Sequence, residues 1–157
     1  MKVVKKSLFV VAVIFVVTQF FRPQKNTGNI ATVTAFEAET KPPASVKNIL
    51  RTSCYDCHSS STNYPWYNVI TPVNYWLESH IKDGKKHLNF SKWNTYSLKR
   101  KEHKMDELHE EVAEGKMPLD SYTWTHADAN LTPNQIAEIV TWAKNIQQNY
   151  KQQLSSK

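Results

Sequence analysis

The sequence feature that most constrains this chain is Cys54-Tyr55-Asp56-Cys57-His58, which contains its only two cysteines. This spacing is typical of the attachment site of a c-type haem, because each thiol adds across one vinyl group of the porphyrin. The histidine that follows is then placed to bind the iron as the proximal ligand. The motif therefore predicts one covalent haem c, held by Cys54 and Cys57, with His58 on the iron.

Other uses of a Cys-x-x-Cys pair fit the sequence less well. A thioredoxin-like redox pair requires a strand–helix context, which is absent around residue 54. A structural zinc site needs a second close pair of Cys or His ligands, and His103 and His109 are six residues apart. A disulfide across two residues would be strained and would close almost no loop. A non-haem module that uses Cys54 and Cys57 as a disulfide is therefore kept as a second alternative.

The formal net charge of +6 does not indicate nucleic-acid binding, because the charge is unevenly placed. Of the 20 basic and 14 acidic side chains, five basic ones and no acidic ones lie in residues 1–25. The rest of the chain keeps 15 basic and 14 acidic side chains and is nearly neutral. We therefore expect no nucleic-acid partner.

The N-terminal segment 1–22 has the layout of an export signal, with Lys2, Lys5 and Lys6 before an apolar run at 8–17. Residues 33–35 could serve as a signal-peptidase cleavage site, but they lie far beyond the apolar run. An uncleaved signal-anchor helix over 3–21 is therefore favoured over a cleaved signal peptide. Its length is near the lower limit for crossing a bilayer. We expect a bacterial envelope protein, anchored in the inner membrane with its domain on the periplasmic side.

The remaining chain divides into three parts. Residues 23–41 are polar, interrupted by proline and without helical periodicity, so they are expected to form a flexible tether. The sequence leaves open whether 32–38 adds a short extended or helical piece. Residues 42–150 are expected to form the folded domain, and 151–157 a disordered tail.

Apolar side chains recur at helical spacing within the domain, so the predicted fold class is all-α. One helix leads into Cys54, a second starts at Thr71 and ends at Gly84, a third follows Ser97, and the last starts at Thr132. Such short helices give a thin core, and a central porphyrin would supply the missing interior. Protein made without haem is therefore expected to fold poorly.

The ligand on the second face of the iron is the main open question of the sequence. Met117 lies in a Gly-Lys-Met-Pro loop after a helix end, where a soft thioether suits iron and Pro118 stiffens the backbone. His80, His109 and His126 are the alternatives, in no firm order. An open position is the third choice.

Several short motifs along the chain also carry a family resemblance. They are Tyr55-Asp56-Cys57-His58-Ser59, Tyr64-Pro65-Trp66-Tyr67, His80-Ile81, Asp83-Gly84 and Asn89-Phe90-Ser91-x-Trp93. With the Met117-Pro118 loop, they make the chain similar to the bacterial haem-binding domain family over roughly residues 40–148, and more broadly to class I cytochrome c domains. The resemblance implies covalent haem c in a small cytochrome c-like domain, and no defined reaction.

Together these observations favour an exported, membrane-anchored electron carrier with His58 and Met117 as axial ligands. Its expected partners are redox proteins in or at the membrane. No enzyme activity is expected, because the sequence shows neither a nucleophile–base pair nor a paired-carboxylate cleft. The first alternative is a gas or redox sensor, or a peroxidase-like site, with an open or exchangeable distal position.

Overall fold

The computed structural model describes residues 2–156, whose regular elements are all helical apart from a single antiparallel bridge between Thr27 and Ser61. The α-helices are α1 (Lys2–Thr18), α2 (Thr34–Thr40), α3 (Ala44–Ser53), α4 (Tyr55–His58), α5 (Val73–His87), α6 (Leu98–Ala113), α7 (Asp120–Thr123) and α8 (Pro133–Ser155). Short 3-10 helices cover Ile30–Val33, Trp66–Val69, Phe90–Thr95 and Ala127–Ala129. The predicted all-α fold class is confirmed.

Two helices form for the local reasons that the sequence provides. Val46, Ile49 and Leu50 lie on one face of α3 and are buried. The last helix, α8, starts at a capping box, in which the Thr132 hydroxyl accepts a hydrogen bond from the Gln135 backbone amide at 3.3 Å. The Gln135 side chain accepts one in return from the Thr132 backbone amide at 2.9 Å. The buried face of α3 and the start of α8 therefore follow from their own residues.

The core is centred on a cluster of aromatic rings between α2, α6 and α8. Phe36 is completely buried, with its ring centroid 4.5 Å from that of Phe90 and 5.0 Å from that of Trp93. Trp142 from α8 meets the same ring edge-on at 6.0 Å. Such tilted and edge-to-face contacts are the favoured geometries of aromatic pairs. The helix pair α6 and α8 forms the most extensive contact of the described chain and closes this half of the domain.

The prediction of a flexible tether over 23–41 is wrong. Residues 30–40 form a 3-10 helix and α2, and they bury Val33, Phe36 and Thr40. Before them, the Thr62 backbone amide donates to the Asn26 carbonyl at 2.9 Å. The helix is only seven residues long with a single large apolar side chain, so it has no periodicity to detect. One buried ring carries the packing that a longer stripe would otherwise show.

The predicted limits of the second helix are also wrong, because α5 runs past Gly84 to His87. A Cβ atom at Gly84 would lie 2.9 Å from the Cys57 carbonyl oxygen, so this glycine allows α5 to approach α4 closely. At the other end, the Thr71 hydroxyl accepts from the Asn74 side chain at 3.0 Å and does not cap the helix. The glycine serves a tertiary contact, which local signals cannot distinguish from a helix stop.

The two ends of the chain differ from their predicted forms. The helix α1 ends at Thr18, three residues short of the predicted span 3–21, and its apolar side chains are exposed. Among residues 2–156, no helix is both long and apolar enough to cross a membrane. The Gln19 side chain joins α1 to the domain, since its amide oxygen accepts from the Thr71 backbone amide at 2.9 Å. At the C-terminus α8 continues to Ser155, so the predicted disordered tail at 151–157 is helical up to that residue.

Candidate functional site

A cavity of about 470 Å³ lies between α4, α5, α6 and the segment after α6. This volume falls in the range of sites that enclose small ligands and cofactors. Its lining residues include Ser53, Cys54, Cys57, His58, His80, Asp83, Gly84, His87, Leu88, Phe90, Lys104, Glu107, Leu108, Glu111, Val112, Met117, Pro118, Leu119, Tyr122 and Ile139. The predicted thiols, proximal histidine and methionine are therefore brought together around one space.

The two cysteines reach this cavity because α4 is a single helical turn that follows directly on α3. Within that turn the His58 backbone amide donates to the Cys54 carbonyl at 3.0 Å. Both cysteines are free thiols. Burial, with a smaller contribution from Cys57, raises the pKa of Cys54 to about 12. Burial, followed by the charge of Asp56, raises the pKa of Cys57 to about 11.

These raised thiol pKa values bear on the disulfide alternative. Redox-active Cys-x-x-Cys pairs work through a thiolate whose pKa is lowered by a helix N-terminus or a nearby positive charge. Here burial acts in the opposite direction on both thiols. Burial of the two thiols therefore does not favour a thiol–disulfide function for Cys54 and Cys57.

The His58 ring is oriented by the backbone at the end of α5. Its Nδ1 lies 2.9 Å from the Leu88 carbonyl oxygen, which can only accept, so Nδ1 carries the proton and donates. Burial lowers the pKa of His58, against smaller opposing effects of backbone contacts with Leu88 and Gly84. The ring is therefore held neutral with an unprotonated Nε2, which is the form that binds metal ions.

Met117 is held at the cavity by the end of α6. Gly115 adopts φ of +69° just beyond the helix, the left-handed conformation common after a C-terminus. The amides of Lys116 and Met117 then donate to the Glu111 carbonyl at 2.9 and 3.1 Å. The Met117 side chain is partly buried and packs against the hydrophobic core. This turn is what directs the loop back over the cavity.

The three alternative histidines lie in different places. His80 lines the cavity, with its Nδ1 2.9 Å from the Trp76 carbonyl oxygen. His109 is buried, yet its Nε2 lies 3.2 Å from Asp106 and it does not line the cavity. His126 lines a smaller neighbouring cavity and stacks on Tyr122 at 4.1 Å. The structure therefore places His80 with the predicted site and leaves His109 and His126 outside it.

Several residues of the site carry no signal in the sequence. Lys104 belongs to the charged face of α6, but its side chain is only 11% exposed, lines the cavity and pairs with Glu107. Tyr122 lies in the four-residue helix α7, and it donates a hydrogen bond to Asp56 at 2.9 Å. Both positions depend on contacts between segments that are far apart in the sequence. The one local signal is Asp56, which lies between the two cysteines and accepts the hydrogen bond from Tyr122.

The donor set of this cavity fits a haem. Two free thiols, an imidazole with an unprotonated Nε2 and a thioether surround a space of cofactor size. Lys104 and His87 lie at the same cavity and could meet the porphyrin's carboxylate groups. Phe90, Leu108, Val112 and Ile139 supply apolar walls.

A family model described as "Haem-binding domain" matches residues 13–145. The match begins inside α1, ends inside α8 and includes every residue that lines the large cavity. No curated protein and no solved structure matches the chain.

Proposed function

The chain belongs to the haem-binding domain family, and from this premise we propose that it carries one haem c bound covalently through Cys54 and Cys57. The observation that carries the proposal is that both thiols, His58 and Met117 line the same cavity of about 470 Å³. We assign His58 as the proximal ligand and Met117 as the distal one. The bound haem would supply one-electron chemistry at the iron.

The protein's own residues would set the properties of this centre. The Leu88 carbonyl holds the His58 ring by its Nδ1–H, which increases the basicity of the ligating nitrogen. Phe90, Leu108 and Ile139 would give the haem apolar contacts. A methionine ligand favours a raised reduction potential.

The proposed role is electron transfer without catalysis. Two protein ligands would occupy both faces of the iron and leave no position for a substrate. Redox proteins in or at the bacterial inner membrane are the proposed partners, and the periplasmic side is the proposed location. The exposed apolar side chains of α1 support export through this segment.

Covalent attachment is tested on the full-length protein by a haem stain after denaturing electrophoresis. The wild type should stain, and Cys54→Ala/Cys57→Ala should not, since no thioether bond can form. An unstained wild-type band would refute haem c and return the non-haem alternative.

The distal ligand is tested by absorption spectroscopy of the oxidised protein. A weak band at about 695 nm is expected from ferric iron bound by a thioether. Met117→Leu should abolish it, whereas Met105→Leu, at a completely buried methionine of α6, should keep it. If the wild type lacks the band, Met117 is not the ligand. Carbon monoxide binding to the reduced wild type would favour the sensor or peroxidase-like alternative.

A further inference from the structure

The hydrogen bond between Tyr122 and Asp56 connects the two segments that supply the proposed iron ligands. Asp56 lies between the two cysteines, and Tyr122 lies in α7, five residues after Met117. The Tyr122 hydroxyl donates to Asp56 Oδ2 at 2.9 Å. We propose that Tyr122 is a positioning residue that holds the Met117 segment closed over the haem, an inference that rests on the proposed function.

The acceptor end of this contact is fixed by its own surroundings. The other carboxylate oxygen of Asp56 accepts from the Asn63 backbone amide at 2.9 Å. The Asp56 backbone carbonyl also accepts from the Thr62 hydroxyl at 2.5 Å. The carboxylate is therefore oriented by the loop after α4 before Tyr122 meets it, so little further ordering is needed.

The donor end is rigidly joined to the methionine loop. The backbone amides of Tyr122 and Thr123 donate to the Leu119 carbonyl at 2.9 and 3.1 Å. Only Pro118 separates Leu119 from Met117, so movement of Tyr122 is transmitted to the methionine through a short backbone path. The Tyr122 ring also stacks on His126 with only 14° between the ring planes. The hydroxyl is thereby directed at Asp56.

Tyr122 is the side chain that hydrogen-bonds the Met117 segment to the segment around the two cysteines. Within the described part of the chain, Tyr122 supplies the side-chain hydrogen bonds that join residues 117–124 to residues 52–58. The Met117 backbone amide hydrogen-bonds elsewhere, to the Glu111 carbonyl at 3.1 Å. Loss of the Tyr122 hydroxyl should therefore loosen the distal side and leave the attachment side in place.

The test compares Tyr122→Phe with Tyr150→Phe in the full-length, haem-loaded protein. Tyr150 is a matched control, because its hydroxyl also donates to a carboxylate, Glu39 Oε1, at 2.7 Å, away from the cavity. Imidazole is the probe, since it competes with Met117 for ferric iron. We expect imidazole to bind about tenfold faster to Tyr122→Phe than to the wild type or to Tyr150→Phe.

A second measurement does not depend on iron ligation. Backbone amides of residues 115–125 should exchange hydrogen about tenfold faster in Tyr122→Phe, while those of α8 should not change. In Asp56→Asn, which keeps an acceptor oxygen, the exchange rates of residues 115–125 should lie between those of the wild type and of Tyr122→Phe. Unchanged exchange in Tyr122→Phe would overturn the inference, as would an equal change in Tyr150→Phe. A wild type without haem or without the thioether band would contradict the proposed function instead, and the exchange result would still decide this inference.

Discussion

The half of the domain built from α2, α6 and α8 is filled by its own side chains, whereas the half built from α4, α5 and the Met117 loop encloses a cavity of about 470 Å³. In the first half Phe36, Trp93 and Trp142 are in direct ring contact. In the second, His58, His80 and Met117 line the cavity, and Phe90, Leu108 and Ile139 form the wall that it shares with the filled half. Side chains beside a void lose packing partners, so the second half depends on a bound group for its interior.

The largest expected effect is that of removing the haem. In Cys54→Ala/Cys57→Ala, amides of α5 and α7 should lose most of their protection from hydrogen exchange, because their packing partner is absent. Amides of α6 and α8 should lose much less, since their aromatic contacts remain. Exchange followed by mass spectrometry measures both halves at once. Equal protection in wild type and variant would show that the cavity half is stable when empty.

The next largest effect is expected from removing a central ring of the filled half. Phe36→Ala should lower the free energy of unfolding by about 3–5 kcal/mol, since a fully buried ring is lost and leaves a cavity. Urea unfolding of the haem-loaded protein measures it. Trp66→Ala is the control, because that ring is 79% exposed and its loss should change stability by less than about 0.5 kcal/mol. Similar losses in both variants would contradict the central role of Phe36.

A smaller effect on stability is expected from a substitution at the contact between α4 and α5. Alanine normally stabilises a helix interior relative to glycine by about 1 kcal/mol. At Gly84 the added Cβ would lie 2.9 Å from the Cys57 carbonyl, so overpacking by about 1–3 kcal/mol should reverse the sign.

The Gly84→Ala variant should therefore unfold at lower urea concentration and, if the proposed covalent attachment holds, carry less haem, because α4 must shift. Lys82→Ala, at an exposed side chain two residues away, serves as the control for a change in α5. A stabilised Gly84→Ala protein would indicate that α4 and α5 can separate without loss.

The smallest effect concerns a polar contact at the margin of the filled half. Burial pushes the pKa of Glu39 upward, but hydrogen bonds from Lys101 and Tyr150 outweigh it and hold the value below its usual 4.5. A carboxyl with a lowered pKa adds stability above its unfolded value, and that contribution is lost as pH falls through the folded value.

Glu39→Gln should therefore cost about 0.5–1 kcal/mol near pH 7, a size typical of exposed ion pairs. The difference from wild type should shrink as the pH falls from the usual Glu pKa toward the lower pKa of folded Glu39, where its carboxyl becomes protonated. Thermal unfolding at several pH values measures the trend. Glu114→Gln, in an exposed pair with Lys116, is the control for the loss of a surface carboxylate near pH 7. A stability difference between Glu39→Gln and the wild type that stays constant with pH would contradict the role given to Glu39.

The parts of this molecule that the sequence predicts correctly are those fixed within one turn or one helix. The stripe of α3 and the capping box at Thr132 depend on residues three or four positions apart, and both form as expected. The spacing of Cys54, Cys57 and His58 is also short-range, since a single turn brings all three to the cavity, and their haem-binding role stays a prediction. Short-range geometry carried these predictions.

The parts that were missed depend on distant segments. Phe36 has only Val33 as an apolar neighbour at helical spacing, and its burial follows from rings at positions 90, 93 and 142. Gly84 has the local signature of a helix stop, but it is required by Cys57. His109 and His126 were equal candidates with His80 until the packing of α6 and α7 oriented them. Tertiary contacts decided each of these cases.

The central position of Phe36 has a consequence for proteolytic maturation. A peptidase that cut after Ala35 would leave Phe36 as the new N-terminus, with a charged ammonium group on a residue that has no solvent-accessible surface. Burying an unpaired charge costs several kcal/mol, so the matured chain would have to leave this ring out of its core. Cleavage N-terminal to Asn26 would keep both this ring in the core and the hydrogen bonds of Asn26 to Ser59 and Thr62.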